Sequence, residues 1–203
     1  SMDLGPAYAK TLTEKAPTAV ICYDPFHVVK VVTDALDELR RRHWQAARAL
    51  PDQDLATMYK GARWALLKNQ PDLTYTQAVT LATLRGQGGQ VIRGHHLKES
   101  LRAVFAGDLD PDQAQNLLSR WCSRASRSQI PEFVRASRTI RAHRAGITAA
   151  LDYGMNNGRH EALNAKARLI INRARGFHTA NAALALILLA CGPQQPALPY
   201  HTR

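Results

Sequence analysis

One short apolar segment constrains the fold of this 203-residue chain more than any other feature. Residues 18–23, with the sequence TAVICY, are bounded by Pro17 and by Asp24-Pro25. An uninterrupted apolar run of this length and composition is typical of a strand buried on both faces. Such a strand needs neighbours for its backbone hydrogen bonds, and no other segment predicts a strand. The sequence therefore predicts a strand that pairs with an upstream portion or with another chain.

The remainder of the chain has helical spacing. Alanine and leucine supply most of its apolar residues, which favours helices, and apolar residues recur at intervals of three and four. Asp110-Pro111 is typical of a helix N-cap followed by proline at the first helical position. His95 and His96 are predicted to lie in a surface loop because glycines precede them. Helices are predicted over residues 26–50, 53–69, 74–85, 91–106, 111–127, 131–153, 159–175 and 180–191.

Positive charge is concentrated in one part of the chain. The formal net charge is +11, from 27 Lys and Arg and 16 Asp and Glu. Residues 120–175 hold twelve of these cations, eleven of them Arg, and only three acids. Because a guanidinium group binds phosphate through two parallel hydrogen bonds, this region predicts binding to a polyanion. A solvated, arginine-rich helical surface is the alternative interpretation.

Composition argues against several classes of protein. Cys22, Cys122 and Cys191 lie far apart, which argues against a disulfide scaffold or a zinc site and favours a reducing compartment. The first ten residues lack the pattern of a signal peptide. The most apolar stretch, residues 182–191, is shorter than the ~20 residues that a membrane span requires. We therefore expect a cytoplasmic protein without membrane contact. The sequence contains no phosphate-binding glycine loop and no hydrolase nucleophile motif.

The helix predicted over residues 159–175 carries a single carboxylate on a polar stripe. At 100° per residue, Glu161, Asn164, Arg168, Asn172 and Arg175 lie within about 80° of one another. A glutamate in the first turn suits the helix dipole, which is the structural interpretation of Glu161. The functional interpretation is a metal-binding carboxylate with phosphate-binding neighbours on the same face.

The sequence Asp24-Pro-Phe-His27 directly follows the predicted strand. Site residues are commonly found at strand ends in α/β architectures. Asp24 alternatively caps the following helix, with Pro25 at its first position. His27 is either a packed histidine of the first turn or a hydrogen-bond donor to a site.

Short motifs occur in a fixed order along the chain. They are DPFH at residues 24–27, WCSRASRSQIP at 121–131, NGRHEALN at 157–164 and RARGFH at 173–178. In combination they resemble bacterial insertion-sequence transposases of the ISL3 type, over residues 3–192. Each motif is weak alone, but the combination is specific.

The resemblance implies an RNase H-like catalytic domain with two aspartates and one glutamate, interrupted by a helical insertion. Asp3 matches the second aspartate and Glu161 the glutamate. Asp24 and His27 match a D-x-x-H signature, and Asn164 belongs to the motif around Glu161. Acids of this kind hold two Mg²⁺ or Mn²⁺ ions, which position the attacking and leaving oxygens of a phosphodiester.

The chain also departs from the family pattern. Ala162 and Ala165 stand where Gly and Asn are usual, which we expect to alter packing rather than chemistry. The first catalytic aspartate and the first three strands of the RNase H-like sheet match nothing in this chain. We therefore expect the chain alone to be inactive, with Mg²⁺ or Mn²⁺ bound only in the complete enzyme.

The predicted fold class is mainly α, a helical bundle attached to a partial RNase H-like core with one or few strands. The predicted segments are a core fragment at 1–25, a helical insertion at 26–153, C-terminal core helices at 154–192 and a loose tail at 193–203. We expect Asp3, Asp24 and Glu161 to approach one another in the folded protein.

The predicted function is that of the C-terminal part of a DNA transposase. It would bind terminal inverted repeats as a homo-oligomer at the bacterial nucleoid, with Asp3 and Glu161 as catalytic, metal-binding acids. The alternative is an inactive remnant that only binds DNA or oligomerises, and a helical regulatory protein unrelated to transposition is the third hypothesis. The cations predicted to contact DNA are Arg124, Arg127, Arg135, Arg138, Arg141, Arg144, Arg159, Lys166, Arg168, Arg173 and Arg175.

Overall fold

A computed structural model describes residues 2–51, 53–107, 109–154, 158–174 and 176–191, without the side chains of 6–8, 158–162 and 164. Contacts divide the chain into two compact units, Ser1–Asn156 and Asn157–Arg203. The mainly helical fold class is confirmed. The finer segment boundaries proposed from sequence stay a prediction, and the tail at 193–203 lies outside the described residues.

The first unit is built from consecutive helices joined by short turns. A 3₁₀ turn, Gln70–Asp72, separates two of them. The helices are α1 Pro6–Lys15, α2 Pro25–Arg48, α3 Asp54–Gly61, α4 Arg63–Leu67, α5 Tyr75–Gln87, α6 Gly89–Val104, α7 Pro111–Ser126, α8 Pro131–Ala142 and α9 Arg144–Asp152.

Three of these helices begin where short polar side chains satisfy their free N–H groups. The Asp24 carboxylate accepts from the backbone N–H of Phe26 at the start of α2. The Asp110 carboxylate accepts from Gln113 at the start of α7, as the sequence predicted. Thr74 and Gln77 form a reciprocal capping box at the start of α5.

Two predicted helices are each divided in the structure. The segment 53–69 is two helices, α3 and α4, which meet at Ala62. The segment 131–153 is α8 and α9, with a break at His143. The His143 ring packs edge-on against Tyr23, 5.0 Å between centroids, and the Tyr23 N–H donates to the Gly146 carbonyl at 3.0 Å. These contacts with a distant segment accompany the break at His143.

Helix α2 lies at the centre of the first unit and contacts α3, α4, α6, α8 and α9. Its Val28, Val32, Leu36 and Leu39 are fully buried. Helix α6 crosses α2 at Gly94, where a Cβ atom would lie 2.7 Å from the Leu39 side chain and 2.9 Å from the Phe133 ring. A glycine is therefore required for α2, α6 and α8 to approach this closely. His95 is buried within α6, so the predicted surface loop at His95 and His96 is wrong.

A buried lysine closes the C-terminal end of α4. The Lys98 ammonium group is within hydrogen-bond distance of the Leu66, Leu67 and Lys68 carbonyls, at 2.7, 3.3 and 3.1 Å. It also contacts the Glu99 carboxylate at 2.7 Å. Burial lowers the pKa of Lys98, although Glu99 opposes the shift. The ammonium group thus satisfies carbonyls that the end of a helix leaves unpaired.

The predicted strand at 18–23 is wrong. Within the described ranges the segment forms only an isolated parallel bridge between Met2 and Tyr23. Val20 is 60% exposed, and burial begins only at Cys22 and Tyr23. None of the described residues forms a neighbouring strand that would cover the apolar run, so packing of Tyr23 on α9 takes the place of a sheet. The RNase H-like core is therefore not confirmed.

The second unit contains two consecutive helices, α10 Gly158–Arg173 and α11 Ala180–Cys191. The Thr179 hydroxyl accepts from the Ala182 N–H at 3.2 Å, which is the predicted cap of α11. The Lys166 ammonium donates to the Ala190 carbonyl and joins the two helices. No helix in the described ranges is both long and apolar enough to cross a membrane.

Candidate acidic site and nucleic-acid interface

Asp3, Asp24 and His27 lie together at the N-terminal end of α2. Backbone hydrogen bonds link Met2 to Cys22 at 2.9 Å and Asp24 to Met2 at 3.0 Å, so Asp3 lies beside Asp24. The Asp3 Oδ1 atom is 2.6 Å from His27 Nε2, and the Asp24 Oδ2 atom is 4.0 Å from it. The imidazole therefore stands next to both carboxylates.

The two carboxylates differ in exposure and in their partners. The Asp3 side chain is 52% exposed, whereas that of Asp24 is 3% exposed. Asp24 Oδ1 accepts from the Phe26 N–H at 3.2 Å, which confirms the capping interpretation. Asp24 Oδ2 is buried and has no hydrogen-bond partner among the described residues. Asp24 is thus a structural cap with one oxygen left over beside His27.

The oxygen donors at this end of α2 suit a hard cation only in part. Carboxylate oxygens are the protein ligands that Mg²⁺ prefers, and Asp3 presents a half-exposed carboxylate. No cluster of three or more His, Cys, Asp or Glu with the arrangement of a metal site occurs within the part of the chain that the structure describes. Asp3 fits as one ligand of an ion that needs further acids.

Glu161 and Asn164 lie on α10 in the second unit. Their side chains, with that of Arg159, are outside the described residues, as is Arg175. The predicted approach of Glu161 to Asp3 and Asp24 therefore stays a prediction.

Three arginines form a stripe along α7. Arg120, Arg124 and Arg127 are exposed, and their spacing of four and three residues places them within about 60° of one another over about 10 Å of helix. B-DNA carries one negative charge per ~1.7 Å of axis, so this length matches several phosphates. Their position near the C-terminal end of α7 also suits the helix dipole.

Two further arginines reach α7 from the following helices. The Arg141 guanidinium donates to the Cys122 carbonyl and the Ser126 hydroxyl, both at 3.1 Å. The Arg144 guanidinium donates to the Ser119 hydroxyl at 2.6 Å. Neutral serines thus hold two more positive charges against the same helix. We call the set Arg120, Arg124, Arg127, Arg141 and Arg144 the α7 arginine face.

The α7 arginine face has no carboxylate partner among the described residues. None of its members occurs in an ion pair of that part of the chain. Arg135, on the other side of α8, instead pairs with Glu38 of α2 at 2.6 Å. Arg138 is exposed on α8, and Arg168 and Arg173 are exposed on α10. In the described ranges, the predicted cations therefore form two groups: Arg135 lies next to a carboxylate and pairs with it, whereas the members of the α7 arginine face do not.

Sequence reasoning left two arginines out of the predicted interface. Arg120 shares the α7 stripe with Arg124 and Arg127, a relation that their spacing already indicates. Arg93 of α6 lies far away in sequence, yet it donates to the Ser128 carbonyl at the end of α7. No local sequence signal identifies that contact.

Comparison with known proteins gives a consistent result. A family model of DDE transposases of the ISL3 type, described as a transposase, matches residues 1–187. The transposase for insertion sequence element IS1557 of Mycobacterium tuberculosis is 39% identical over an alignment of 218 positions. This alignment covers 98% of this chain and 49% of that protein. The transposase for insertion sequence element IS1001 of Bordetella parapertussis is 27% identical over 178 residues, 87% of this chain and 43% of that protein. The chain spans about half the length of these relatives. No solved structure matches it.

Proposed function

The chain belongs to the ISL3 family of insertion-sequence transposases, and from that premise we propose that it binds duplex DNA through the α7 arginine face. The DNA that this family membership suggests is the terminal inverted repeat of an insertion sequence, bound by a homo-oligomer. The observation that carries the proposal is the absence of carboxylate partners for five clustered arginines in the described ranges.

Unpaired guanidinium groups favour phosphate binding for a physical reason. A cation that already pairs with a carboxylate must give up that partner to bind a phosphate, whereas an unpaired one releases only water and counterions. Serine hydroxyls hold Arg141 and Arg144 in place without neutralising them. The α7 arginine face therefore keeps its charge available at a fixed position.

DNA binding is tested by the salt dependence of affinity. If about five phosphates are neutralised, log K should fall against log[salt] with a slope of roughly −4 to −5. Fluorescence anisotropy with a labelled duplex measures it. Changing Arg141 and Arg144 of the α7 arginine face together to Ser should weaken binding, and an affinity that does not respond to salt would contradict the proposal.

We also propose that Asp3 and Glu161 are catalytic, metal-binding acids of the transposase. His27 donates from Nε2 to Asp3 Oδ1 and restricts the orientation of that carboxylate. Asp24 caps α2 through Phe26 and thereby fixes the turn that carries His27. Asp3 and Glu161 would each supply a carboxylate ligand, and bound Mg²⁺ or Mn²⁺ would stabilise the charge that develops on the phosphodiester oxygens.

The acids are tested separately from DNA binding. Excision of a donor element is measured in cells, with each substitution introduced into the transposase that contains this chain. Asp3→Asn and Glu161→Gln should each lower the excision frequency at least about a hundredfold. Both variants should keep the duplex affinity of the unaltered chain. The matched control is Glu14→Gln on α1, which also removes one exposed carboxylate. Normal excision by Asp3→Asn would overturn this assignment.

A further inference from the structure

A cavity of about 360 Å³ lies between α6 and the turn that joins α7 to α8. Its volume is within the ~300–1,000 Å³ of typical ligand sites. Half of its lining residues carry guanidinium groups, and no lining residue is an acid. They are Arg93, His96 and Leu97 of α6, and Arg124, Arg127 and Ser128 of the α7 end.

Hydrogen bonds of Ser128 hold the wall of this cavity in place. Its hydroxyl donates to the Ala125 carbonyl at 2.8 Å and accepts from the Ile130 N–H at 3.2 Å. Its carbonyl accepts from the Arg93 guanidinium, which ties α6 to the turn. Hydrogen bonds within this turn therefore fix one wall of the cavity, and the bond to Ser128 anchors Arg93 at the edge of the cavity.

Most guanidinium donors in the cavity stay available for a ligand. A guanidinium group has five N–H donors. Arg127 uses Nε to donate to the Ser123 carbonyl at 3.1 Å, and Arg93 is bound to Ser128 through one terminal nitrogen. Arg124 makes neither an ion pair nor a side-chain hydrogen bond with another residue in the described ranges. Leu97 is buried and gives the cavity an apolar wall.

We infer that this cavity binds a backbone phosphate of DNA, gripped by Arg93, Arg124 and Arg127 where α6 meets the α7 arginine face. The inference rests on the proposed DNA binding and deepens it, because it assigns one phosphate to a recess rather than to an open surface. Three guanidinium groups around a recess with no carboxylate favour an anion with several oxygen acceptors, which describes a phosphodiester. The His96 ring at the edge adds a further polar group.

A matched pair of single substitutions tests the cavity. Arg124→Ser removes an exposed arginine from the cavity, and Arg85→Ser removes an exposed arginine from α5, outside it. We expect Arg124→Ser to weaken duplex binding about tenfold and to make the salt slope about 1 less negative, whereas Arg85→Ser stays within about twofold. Arg93→Lys keeps the charge but loses the two-pronged geometry, and we expect it to weaken binding several-fold.

A phosphate titration separates this inference from the proposed function. Titration with inorganic phosphate, followed through the NMR signals of the His96 ring, should give a saturable shift that Arg124→Ser abolishes. If the unaltered chain binds duplex DNA but Arg124→Ser and Arg85→Ser bind equally well, the cavity is not a phosphate site while the proposed function stands. If the unaltered chain binds no duplex, the proposed function fails, and the inference fails with it.

Discussion

Two arginine-rich surfaces of the first unit differ in what their guanidinium groups contact. Around α2, Arg40, Arg41 and Arg63 share the Asp37 carboxylate, and Arg42 pairs with Glu132. Around α7, arginines contact serine hydroxyls and carbonyls, or no described side chain. The same residue type thus joins helices on one surface and keeps uncompensated charge on the other.

Burial explains why the α2 surface acts as a structural element. The Glu132 side chain is 3% exposed, and burial would raise its pKa, but the Arg42 hydrogen bond and charge hold that pKa below its usual value. Arg40 is also buried and spans α2 and α3 through the Tyr59 carbonyl, at 3.1 Å. Exposed pairs contribute little to stability, so the buried groups, Arg40 and the Glu132 carboxylate, carry most of the effect.

The largest expected difference in stability is between the variants Arg40→Ala and Arg124→Ala. Arg40→Ala should lower the free energy of unfolding by about 3 kcal/mol, because the Tyr59 carbonyl loses its donor and Asp37 loses its buried partner. Arg124→Ala should change it by less than about 0.5 kcal/mol. Urea unfolding measures both variants. Equal losses would show that the two surfaces do not differ in structural role.

Acid should weaken both surfaces together, because α6 contacts both α2 and α7 and carries buried His95. Burial lowers the pKa of His95 to about 4, with Lys98, Arg85 and His96 acting in the same direction and Glu99 against it. The neutral imidazole is favoured in the folded state, so its contribution is present above pH 6.5 and is lost as the pH falls toward 4. We expect about 2 kcal/mol less stability at pH 5 than at pH 7.5.

His95→Leu is the variant that tests this pH dependence. Between pH 7.5 and pH 5, its free energy of unfolding should fall less than that of the unaltered chain. Replacement of the exposed neighbour, His96→Gln, is the control and should keep nearly all of the dependence, because His96 is the weakest of the groups that shift the His95 pKa. If the free energy of unfolding of His95→Leu depends on pH as strongly as that of the unaltered chain, other groups cause the acid sensitivity.

The smallest expected effect comes from releasing a paired arginine. Glu38→Gln removes the carboxylate that neutralises Arg135, and both side chains are more than half exposed. We expect duplex affinity to rise about two- to threefold at low salt, with stability changed by less than about 0.5 kcal/mol. Glu14→Gln, which frees Lys10 on α1, should raise the duplex affinity less. Weaker duplex binding by Glu38→Gln would contradict the idea that carboxylates near α2 neutralise arginines that could otherwise bind DNA.

Local features of the fold could be predicted from sequence, because they depend on neighbours in the chain. The caps at Asp110 and Thr179 lie where short polar side chains precede helical spacing. The break at His143 and the absence of a strand at 18–23 could not be predicted in this way. Both accompany the packing of Tyr23 against α9, more than a hundred residues later.

The candidate interface was only partly predictable for the same reason. Charge density identified residues 120–175 but gave equal weight to Arg135 and Arg124. Their difference comes from Glu38, 97 positions before Arg135. The proximity of Asp3 to Asp24 was expected, whereas the recess that includes Arg93 depends on a contact 35 positions along the chain.

The most direct measurement compares two triple variants that remove the same charge. One changes Arg120, Arg124 and Arg127 of the α7 arginine face to Ser. The other changes Arg41, Arg63 and Arg102 to Ser, all of which pair with carboxylates. We predict that the first makes the salt slope of duplex binding about 2 to 3 less negative, and that the second changes it by less than about 1. Equal changes in slope would show that only net charge matters and would contradict the account.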